Sequence, residues 1–332
     1  MIKAHKNIVD KFGRVHDYLR ISLTERCNLR CFYCMPEEGI QLRDKAEFMS
    51  AEETLAIAKI FVSMGVKKIR LTGGEPLIKK NAELIIRELG KLPIELTLTT
   101  NAVVVDRYID VMKEAGITSI NVSLDSLDES RFNDISRRGY FSRIFENIEL
   151  LLQHNFKIKI NVVVIRGVND DEIIDFIQWS IKKAVSVRFI EFMPFDGNKW
   201  NWDKKVSYNE IITLAQEHFG KRLRKIEDQP NDTSRNFQIE GAKGNFGIIS
   251  SVTNPFCDSC NRIRLTADGK IKNCLFSQSE SDLLTAYRNQ EAIEPIILAS
   301  IMGKEKERGG NSDFSDETVA NLKNRSMTTI GG

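Results

Sequence analysis

The amino-acid sequence predicts an α/β fold, namely an incomplete (β/α)6, TIM-like barrel followed by a C-terminal α+β extension. Two observations predict the barrel. Strand-like segments alternate with helical segments of roughly 10–15 residues, which is typical of parallel βαβ units. The strands also carry apolar side chains on one face and polar side chains on the other, whereas strands covered by helices on both faces are apolar throughout. A barrel around a polar, substrate-filled cavity explains this alternation better than an open sheet.

The barrel elements can be placed in order along the chain. Ser50-Ala-Glu-Glu53 and Asn169-Asp-Asp-Glu172 are read as capping boxes that begin helices through about residues 64 and 183. Solvent exposure of the polar strand face is the alternative, but a parallel sheet exposed on one side is rare. The predicted strands are residues 18–24, 67–72, 94–100, 118–125, 157–165 and 186–193. The barrel domain is predicted at residues 1–220 and the extension at residues 221–332.

Composition excludes several classes of protein. The chain of 332 residues carries 48 Lys and Arg against 46 Asp and Glu, a net charge of +2. A nucleic-acid binder usually has a strongly basic face, so none is expected here. No apolar run approaches the ~20 residues of a membrane span, and the first residues lack the apolar core of a signal peptide and the composition of a transit peptide. These features predict a cytoplasmic enzyme, without a membrane or nucleic-acid partner.

All six cysteines fall into two groups of three, one near each end of the chain. The groups are Cys27, Cys31 and Cys34, and Cys257, Cys260 and Cys274. A structural zinc site needs four ligands, and no histidine follows His218 to complete the second group. Three thiolates can instead hold a four-iron cluster and leave one iron open for a small molecule. The spacing therefore favours two iron–sulfur clusters, with zinc as the alternative.

The first cysteine group, Cys27-Asn-Leu-Arg-Cys31-Phe-Tyr-Cys34, resembles the radical S-adenosylmethionine superfamily. The turn Thr72-Gly-Gly-Glu75-Pro76 is similar to the methionine-binding turn of the same superfamily. The resemblance implies that these three thiolates hold a [4Fe–4S] cluster. It also implies that S-adenosylmethionine chelates the fourth iron through its amino and carboxylate groups.

The polar strand face is rich in positive charge. The cations expected to face the cavity are Arg20, Lys68, Arg70, Lys159 and Arg188. Buried cations need partners, and Glu95, Asp125 and Glu191 could pair with some of them in a purely structural network. The surplus favours a polyanionic substrate such as a triphosphate. Arg262 and Arg264, two residues apart on a predicted strand beside the second cysteine group, should point the same way.

Taken together, the motifs resemble the GTP 3′,8-cyclase family of molybdenum cofactor biosynthesis. They occur in order almost from end to end of the chain. One difference is visible, because Ala102 stands where the family usually has the glycine of a TTNG segment, and alanine is tolerated there if its φ is negative. The matching segments are 20–27, 69–76, 121–125, 188–191, Cys257 to Arg264 with Cys274, and the final Gly331-Gly332.

The resemblance implies a role for each matching residue. The first cysteine group holds the cluster that cleaves S-adenosylmethionine, and the second holds a [4Fe–4S] cluster whose open iron binds the guanine ring of GTP. The tail, Gly331-Gly332, reaches into the active site. The residues implied to contact S-adenosylmethionine are Tyr33, Gly74, Ser123 and Met193. Those implied to contact GTP are Arg20, Arg70, Thr99, Lys159, Arg262 and Arg264, with Lys68 and Arg188 added.

The implied reaction is radical chemistry rather than acid–base chemistry. A 5′-deoxyadenosyl radical removes the ribose H3′ of GTP, C3′ attacks guanine C8, and reduction with protonation completes the product. The implied partners are a one-electron donor such as flavodoxin or ferredoxin, cyclic pyranopterin monophosphate synthase as the acceptor of the product, and a second copy in a homodimer. Two alternatives stay open: a radical enzyme for a peptide or tRNA base, and a zinc-stabilised nucleotide-binding module without catalysis.

Overall fold

The computed structural model describes residues 7–35, 39, 43–311, 314 and 324–331. Six parallel strands follow one another in chain order, and each pairs with the next. All six predicted strands are therefore confirmed, with ends that differ from the prediction by at most two residues. They are β1 (Tyr18–Ser22), β2 (Lys68–Thr72), β3 (Glu95–Thr100), β4 (Ser119–Ser123), β5 (Lys157–Val164) and β6 (Val185–Glu191).

Helices connect these strands. The first begins at the predicted capping box, since the Ser50 hydroxyl accepts from the Glu53 amide at 3.1 Å and the Glu53 carboxylate accepts from the Ser50 amide at 2.8 Å. No helix in the described part of the chain is long and apolar enough to cross a membrane. The helices of this region are α1 (Ala51–Ser63), α2 (Ala82–Leu89), α3 (Ile109–Glu114), α4 (Glu129–Ser136), α5 (Phe141–Gln153), α6 (Ile173–Lys182) and α7 (Tyr208–Phe219).

The second predicted capping box is wrong. Asn169 makes no capping hydrogen bond, and a 3-10 turn at Asp170–Glu172 precedes α6. The Asn169 amide group instead donates to the Asp125 carbonyl at 2.7 Å. The Glu172 carboxylate accepts from Ser126 and Leu127. Both side chains therefore bind the loop after β4. Because they make these tertiary hydrogen bonds, they do not form the local capping box.

The C-terminal region extends the same sheet at both edges. Strand β9 pairs in parallel with β6, and β10 pairs in parallel with β1, so the described sheet is an open arc of twelve strands. This is the geometry of an incomplete barrel with an α+β extension. The added elements are β7 (Leu223–Lys225), β8 (Arg235–Ile239), β9 (Asn245–Ile249), β10 (Arg262–Leu265), β11 (Lys270–Lys272), β12 (Ser281–Asp282), α8 (Leu283–Arg288), α9 (Glu294–Met302) and α10 (Met327–Ile330).

Both faces of the parallel strands are covered. Leu19 and Ile69, on the apolar face, are completely buried in the core. On the polar face, Arg70, Thr72 and Thr97 are also buried, with at most 4% of each residue exposed. The polar face is therefore not a solvent-exposed side of the sheet, and it lines the interior of the arc as the alternation predicted.

The difference at Ala102 has a structural cost. Its φ is +62°, in the left-handed region, so the condition under which alanine would be tolerated, a negative φ, is not met. The side-chain amide of Asn147 donates to the Ala102 carbonyl at 2.7 Å and helps to fix this conformation. A residue with a Cβ pays about 1–2 kcal/mol there, whereas glycine does not.

We expect Ala102→Gly to raise the free energy of unfolding by about 0.5–1 kcal/mol, because relief of the left-handed strain exceeds the extra backbone entropy of glycine. Denaturant unfolding measures this change. Ala299→Gly is the matched control, since Ala299 is exposed within α9 and the same substitution should cost about 1 kcal/mol there. Equal destabilisation by both substitutions would contradict the assignment of strain to Ala102.

Candidate active site

The first cysteine group lies in the loop that follows β1. The amides of Cys34 and Met35 both donate to the Cys31 carbonyl at 3.0 Å, and this turn brings Cys31 and Cys34 together. The Cys27 sulfur accepts from the Leu29 amide at 3.4 Å and lies 3.7 Å from the Asn101 amide nitrogen. N–H donors of this kind stabilise cluster-bound thiolates.

Electrostatics in this loop disfavour free thiolates. Burial, then the neighbouring Cys27 and Asp125, raise the pKa of Cys34 to about 12. Burial and Glu75 raise the pKa of Cys27 to about 11. Burial, with Asp125 and the other two thiols, raises the pKa of Cys31 well above its ordinary value. Three crowded, buried thiols need a positive group to ionise, and the irons of a cluster supply one.

The glycine-rich turn after β2 packs directly on the cysteine loop. The Gly74 amide donates to the Thr24 carbonyl at 2.7 Å, and a Cβ on Gly74 would lie 2.3 Å from the Arg26 carbonyl oxygen. Only glycine fits this approach. The buried Glu75 carboxylate accepts from the Thr100 hydroxyl at 2.8 Å and the Asn101 amide at 2.7 Å, which ties the turn to the end of β3.

Two acids that could have paired with cavity cations in a structural network form no such pair within the described residues. Asp125 accepts from the Tyr33 hydroxyl at 2.6 Å and from the Val163 amide of β5 at 2.9 Å. Glu191 accepts from the amide of Val252 and from the amide and hydroxyl of the next residue. Both carboxylates are therefore occupied by backbone amides and hydroxyls of neighbouring segments. Glu95, the third such acid, does form an ion pair, at 2.7 Å with the Lys68 side chain.

The second cysteine group flanks β10 and β11, and β10 is the strand beside β1. The Cys260 amide donates to the Cys257 carbonyl at 3.1 Å, and β10 begins two residues later. The register of β10 on β1 places Arg264 opposite Arg20 and Arg262 opposite Tyr18. This long-range pairing brings the Arg20 motif of β1 and the Arg262–Arg264 motif of β10 together. The two strands form one wall of the site.

Between this wall and the other strands lies a cavity of about 360 Å³. All three cysteines of the second group line it, and among the described residues Asp232 is its only acidic lining side chain. Burial and neighbouring cations lower the pKa of Lys159 to about 8 and that of Arg264 to about 9. Eight cations and one acid around one cavity give it a surplus of positive charge, which favours a polyanion. The lining cations are Arg20, Lys68, Arg70, Lys159, Arg188, Arg262, Arg264 and Arg308.

Residues predicted to contact S-adenosylmethionine lie mostly outside this cavity. Met193 lines it, whereas Tyr33, Gly74 and Ser123 do not. Thr99 does not line it either, but its hydroxyl lies 3.4 Å from the Arg70 guanidinium. A larger cavity of about 870 Å³, on the side of Arg43, includes neither cysteine group.

Tyr18 is a site residue that sequence reasoning missed. Its hydroxyl accepts from Arg70 Nε at 2.5 Å, and the Lys68 ammonium lies 5.4 Å from its ring centre. Burial raises the pKa of Tyr18, but Arg70 and Arg20 outweigh it and hold the pKa at about 7. Its position two residues before Arg20 on a strand was the available signal, because such residues share a face.

The described part of the tail lies against the ends of β1 and β2. The Gly331 carbonyl accepts from Arg264 Nη1 at 2.6 Å, and Gly331 is buried with φ +83°. A Cβ there would lie 2.6 Å from the Thr72 hydroxyl and 2.8 Å from Ser22 Cβ, so this position requires glycine. Gly332 lies outside the described residues.

One arginine anchors this tail. Arg325 forms a two-pronged ion pair with Asp268, at 2.7 and 3.1 Å, and lies 3.7 Å from Glu25. Glu25 precedes the first cysteine group by two residues. The tail and the cysteine loop therefore share one ionic network.

In neither cysteine group do the three thiols converge on one point, as the ligands of a single metal ion would. Among the described residues, no three Cys, His, Asp or Glu side chains are arranged to hold a single metal ion. A four-iron cluster takes its cysteines on separate irons, so its ligands need not converge on one point. Three partly buried cysteines with N–H donors nearby fit such a cluster.

Comparison with known proteins decides the family. The model of the Radical SAM superfamily matches residues 21–180, and that of Molybdenum Cofactor Synthesis C matches residues 185–309. The GTP 3′,8-cyclase of Listeria welshimeri is 40% identical over 328 residues, which cover 97% of this chain and 98% of the relative. The mitochondrial GTP 3′,8-cyclase of Arabidopsis thaliana is 44% identical over 331 residues, covering 98% and 83%. The chain belongs to the GTP 3′,8-cyclase family.

Other members of the GTP 3′,8-cyclase family are longer. Molybdenum cofactor biosynthesis protein 1 of Dictyostelium discoideum is 43% identical over 333 residues, and the chain spans about half of its length, 52%. Among solved structures, Streptococcus suis SuiB bound to S-adenosylmethionine superposes with a TM-score of 0.65 at 16% identity, covering 88% of this chain and 70% of SuiB. This likeness confirms the predicted fold.

We expect one tyrosine to ionise near pH 7 in metal-free protein, because Arg70 and Arg20 stabilise the Tyr18 phenolate. The phenolate's contribution to stability is fully present above pH 10, the ordinary pKa of tyrosine, and is lost progressively as the pH falls from there through about 7. Tyrosinate absorbance against pH measures it. Tyr18→Phe should remove the low step, and Tyr140→Phe, a change on the surface, should leave it in place. A low step that survives Tyr18→Phe would contradict the assignment.

Proposed function

We propose that the protein catalyses the radical S-adenosylmethionine-dependent cyclisation of GTP to (8S)-3′,8-cyclo-7,8-dihydroguanosine 5′-triphosphate, the first step of molybdenum cofactor biosynthesis. One observation carries the proposal. A single cavity is lined by the three cysteines of the second group and by eight cations, with one acid among the described lining residues. A ligand with a soft-metal-binding end and a strongly anionic end suits that cavity, and GTP has both.

The residues present fit two resident clusters. Cys27, Cys31 and Cys34 would hold the one that serves S-adenosylmethionine, and Cys257, Cys260 and Cys274 the one that serves the substrate. When bound, the first cluster supplies the electron for reductive cleavage of S-adenosylmethionine, and the second offers an open iron to guanine. The protein itself positions both molecules and keeps water from reactive species.

The cavity cations would bind the triphosphate. Arg70 is held by the Tyr18 hydroxyl and by the Leu98 carbonyl at 3.0 Å, so its guanidinium is oriented before GTP arrives. Charged hydrogen bonds of this kind are among the strongest that a protein makes. The residues proposed to contact GTP are Arg20, Arg70, Thr99, Lys159, Arg262 and Arg264, with Lys68 and Arg188 in support.

S-Adenosylmethionine would lie beside the first cysteine group. Gly74 belongs to the turn that packs directly on the cysteine loop. Tyr33, between Cys31 and Cys34 in sequence, is fixed by its hydrogen bond to Asp125. Ser123 ends β4 and Met193 lies two residues after β6, so both are at the carboxyl ends of the parallel strands. We assign these four residues to S-adenosylmethionine.

We also propose the wider setting of the enzyme. It would work in the cytoplasm, take electrons from a donor such as flavodoxin or ferredoxin, and pass its product to cyclic pyranopterin monophosphate synthase. Near full-length similarity to the Listeria enzyme supports this setting. We retain the division into a barrel at 1–220 and an extension at 221–332, and a homodimer, as parts of the same proposal.

Incubation of the anaerobic, reconstituted protein with GTP, S-adenosylmethionine and a reductant should yield 5′-deoxyadenosine and a product isomeric with GTP, because one hydrogen is removed and one is returned. Chromatography with mass detection measures both. Cys27→Ala should abolish both products, since it removes the electron source. Cys274→Ala should retain some 5′-deoxyadenosine and lose the cyclised nucleotide. Zinc without iron in the purified protein, or 5′-deoxyadenosine from Cys27→Ala, would contradict the assignment.

The tail should be essential for cyclisation although it adds no catalytic side chain. Deletion of Gly331 and Gly332 should abolish the cyclised product. Gly331→Ala should slow it by about 10- to 100-fold, because the Cβ displaces the carbonyl held by Arg264. Single-turnover product formation is the measurement, and Thr329→Ala in α10 is the control. A deletion variant as fast as the intact chain would show the tail to be dispensable.

A further inference from the structure

A buried lysine contacts the second cysteine group. Lys304 follows α9 and is 2% exposed. Its ammonium lies 3.4 Å from the Cys260 sulfur and donates to the Arg262 carbonyl at 3.2 Å. Neither contact is implied by any motif considered above. Lys304 therefore bridges a cysteine of the second group and the strand that carries the substrate cations.

The charge of Lys304 has no carboxylate to balance it. Within the described ranges, no Asp or Glu side chain forms an ion pair with Lys304. The nearby Asp10 is already bound by Arg14 at 2.6 Å and by His16 at 3.0 Å. Arg14 adds a second cation, which donates to the Cys257 carbonyl at 2.9 Å. A buried ammonium without a counter-charge is strongly unfavourable, so the cysteine sulfur is the partner that remains.

Lys304 distinguishes Cys260 from the other two cysteines of the group. Its ammonium donates to the Cys260 sulfur at 3.4 Å. Within the described residues, Lys304 forms no hydrogen bond to the sulfur of Cys257 or Cys274. Cys260 is therefore the cysteine through which Lys304 contacts this group.

We propose that Lys304 is a positioning residue of the second cluster, whose ammonium donates an N–H···S hydrogen bond to the Cys260 thiolate and makes that cluster easier to reduce. The inference rests on the proposed function, which makes the second cysteine group a cluster site. Hydrogen bonds to sulfur withdraw electron density from a cluster and stabilise its reduced form. Lys304 does not line the cavity, and it acts through Cys260 and the Arg262 backbone.

The test compares Lys304→Met, which removes the charge and the donor at similar length, with Lys304→Arg, which keeps both. The full-length, reconstituted protein is titrated with reductant while the two clusters are followed by electron paramagnetic resonance. The signal lost in Cys274→Ala identifies the second cluster. Lys304→Met should shift its midpoint potential to a more negative value, Lys304→Arg should shift it less, and the first cluster should stay unchanged as an internal control.

The outcomes separate the inference from the proposed function. Zinc in place of iron in the parent protein would overturn the proposed function, and the inference with it. Full iron loading of Lys304→Met with an unchanged second potential, or an equal shift of both clusters, would overturn the inference alone. If Lys304→Met retains only the first cluster, about four irons of eight, then full loading of Lys304→Arg supports the inference and equal loss from both variants overturns it.

Discussion

The parallel pairing of β10 with β1 is the constraint on which the site depends. It joins segments more than 200 residues apart and sets Arg262 opposite Tyr18 and Arg264 opposite Arg20. Cys257 and Cys260 directly precede β10, and Cys274 follows β11, which pairs with β10, so the same pairing places these thiols beside the barrel interior. The carbonyl of Gly331 accepts a hydrogen bond from Arg264, so β10 also fixes the position of the tail. A change of register between β10 and β1 would move the cations of β10, the second cysteine group and the tail away from β1 at the same time.

Charge is distributed unequally across this site. Buried acids such as Glu75, Asp125 and Glu191 accept hydrogen bonds from backbone amides and hydroxyls, and they fix the ends of the strands. The cations face the cavity, where burial and mutual repulsion lower the pKa of several of them. An anionic ligand would offset this surplus of positive charge, so the electrostatics of the cavity suit a polyanion.

Sequence patterns succeeded where a feature depends on neighbours along the chain. The Ser50 capping box and the alternation in β1 and β2 require only local periodicity, and both are present. The pattern at Asn169 failed because its side chain binds the Asp125 carbonyl in another loop. Ala102 shows the same limit, since its positive φ is set by the packed turn around it rather than by its own preference.

The sequence by itself determined the six barrel strands, the two cysteine groups and the family, because these depend on short motifs and period-two alternation. Tertiary structure alone decided which acids meet which cations, and it revealed Tyr18, Lys304 and Arg325 as neighbours of the site. The physical reason is that a buried charge takes whichever partner the fold brings within hydrogen-bond reach. Lys304 lies 44 residues from Cys260 in the chain, and no local pattern encodes that contact.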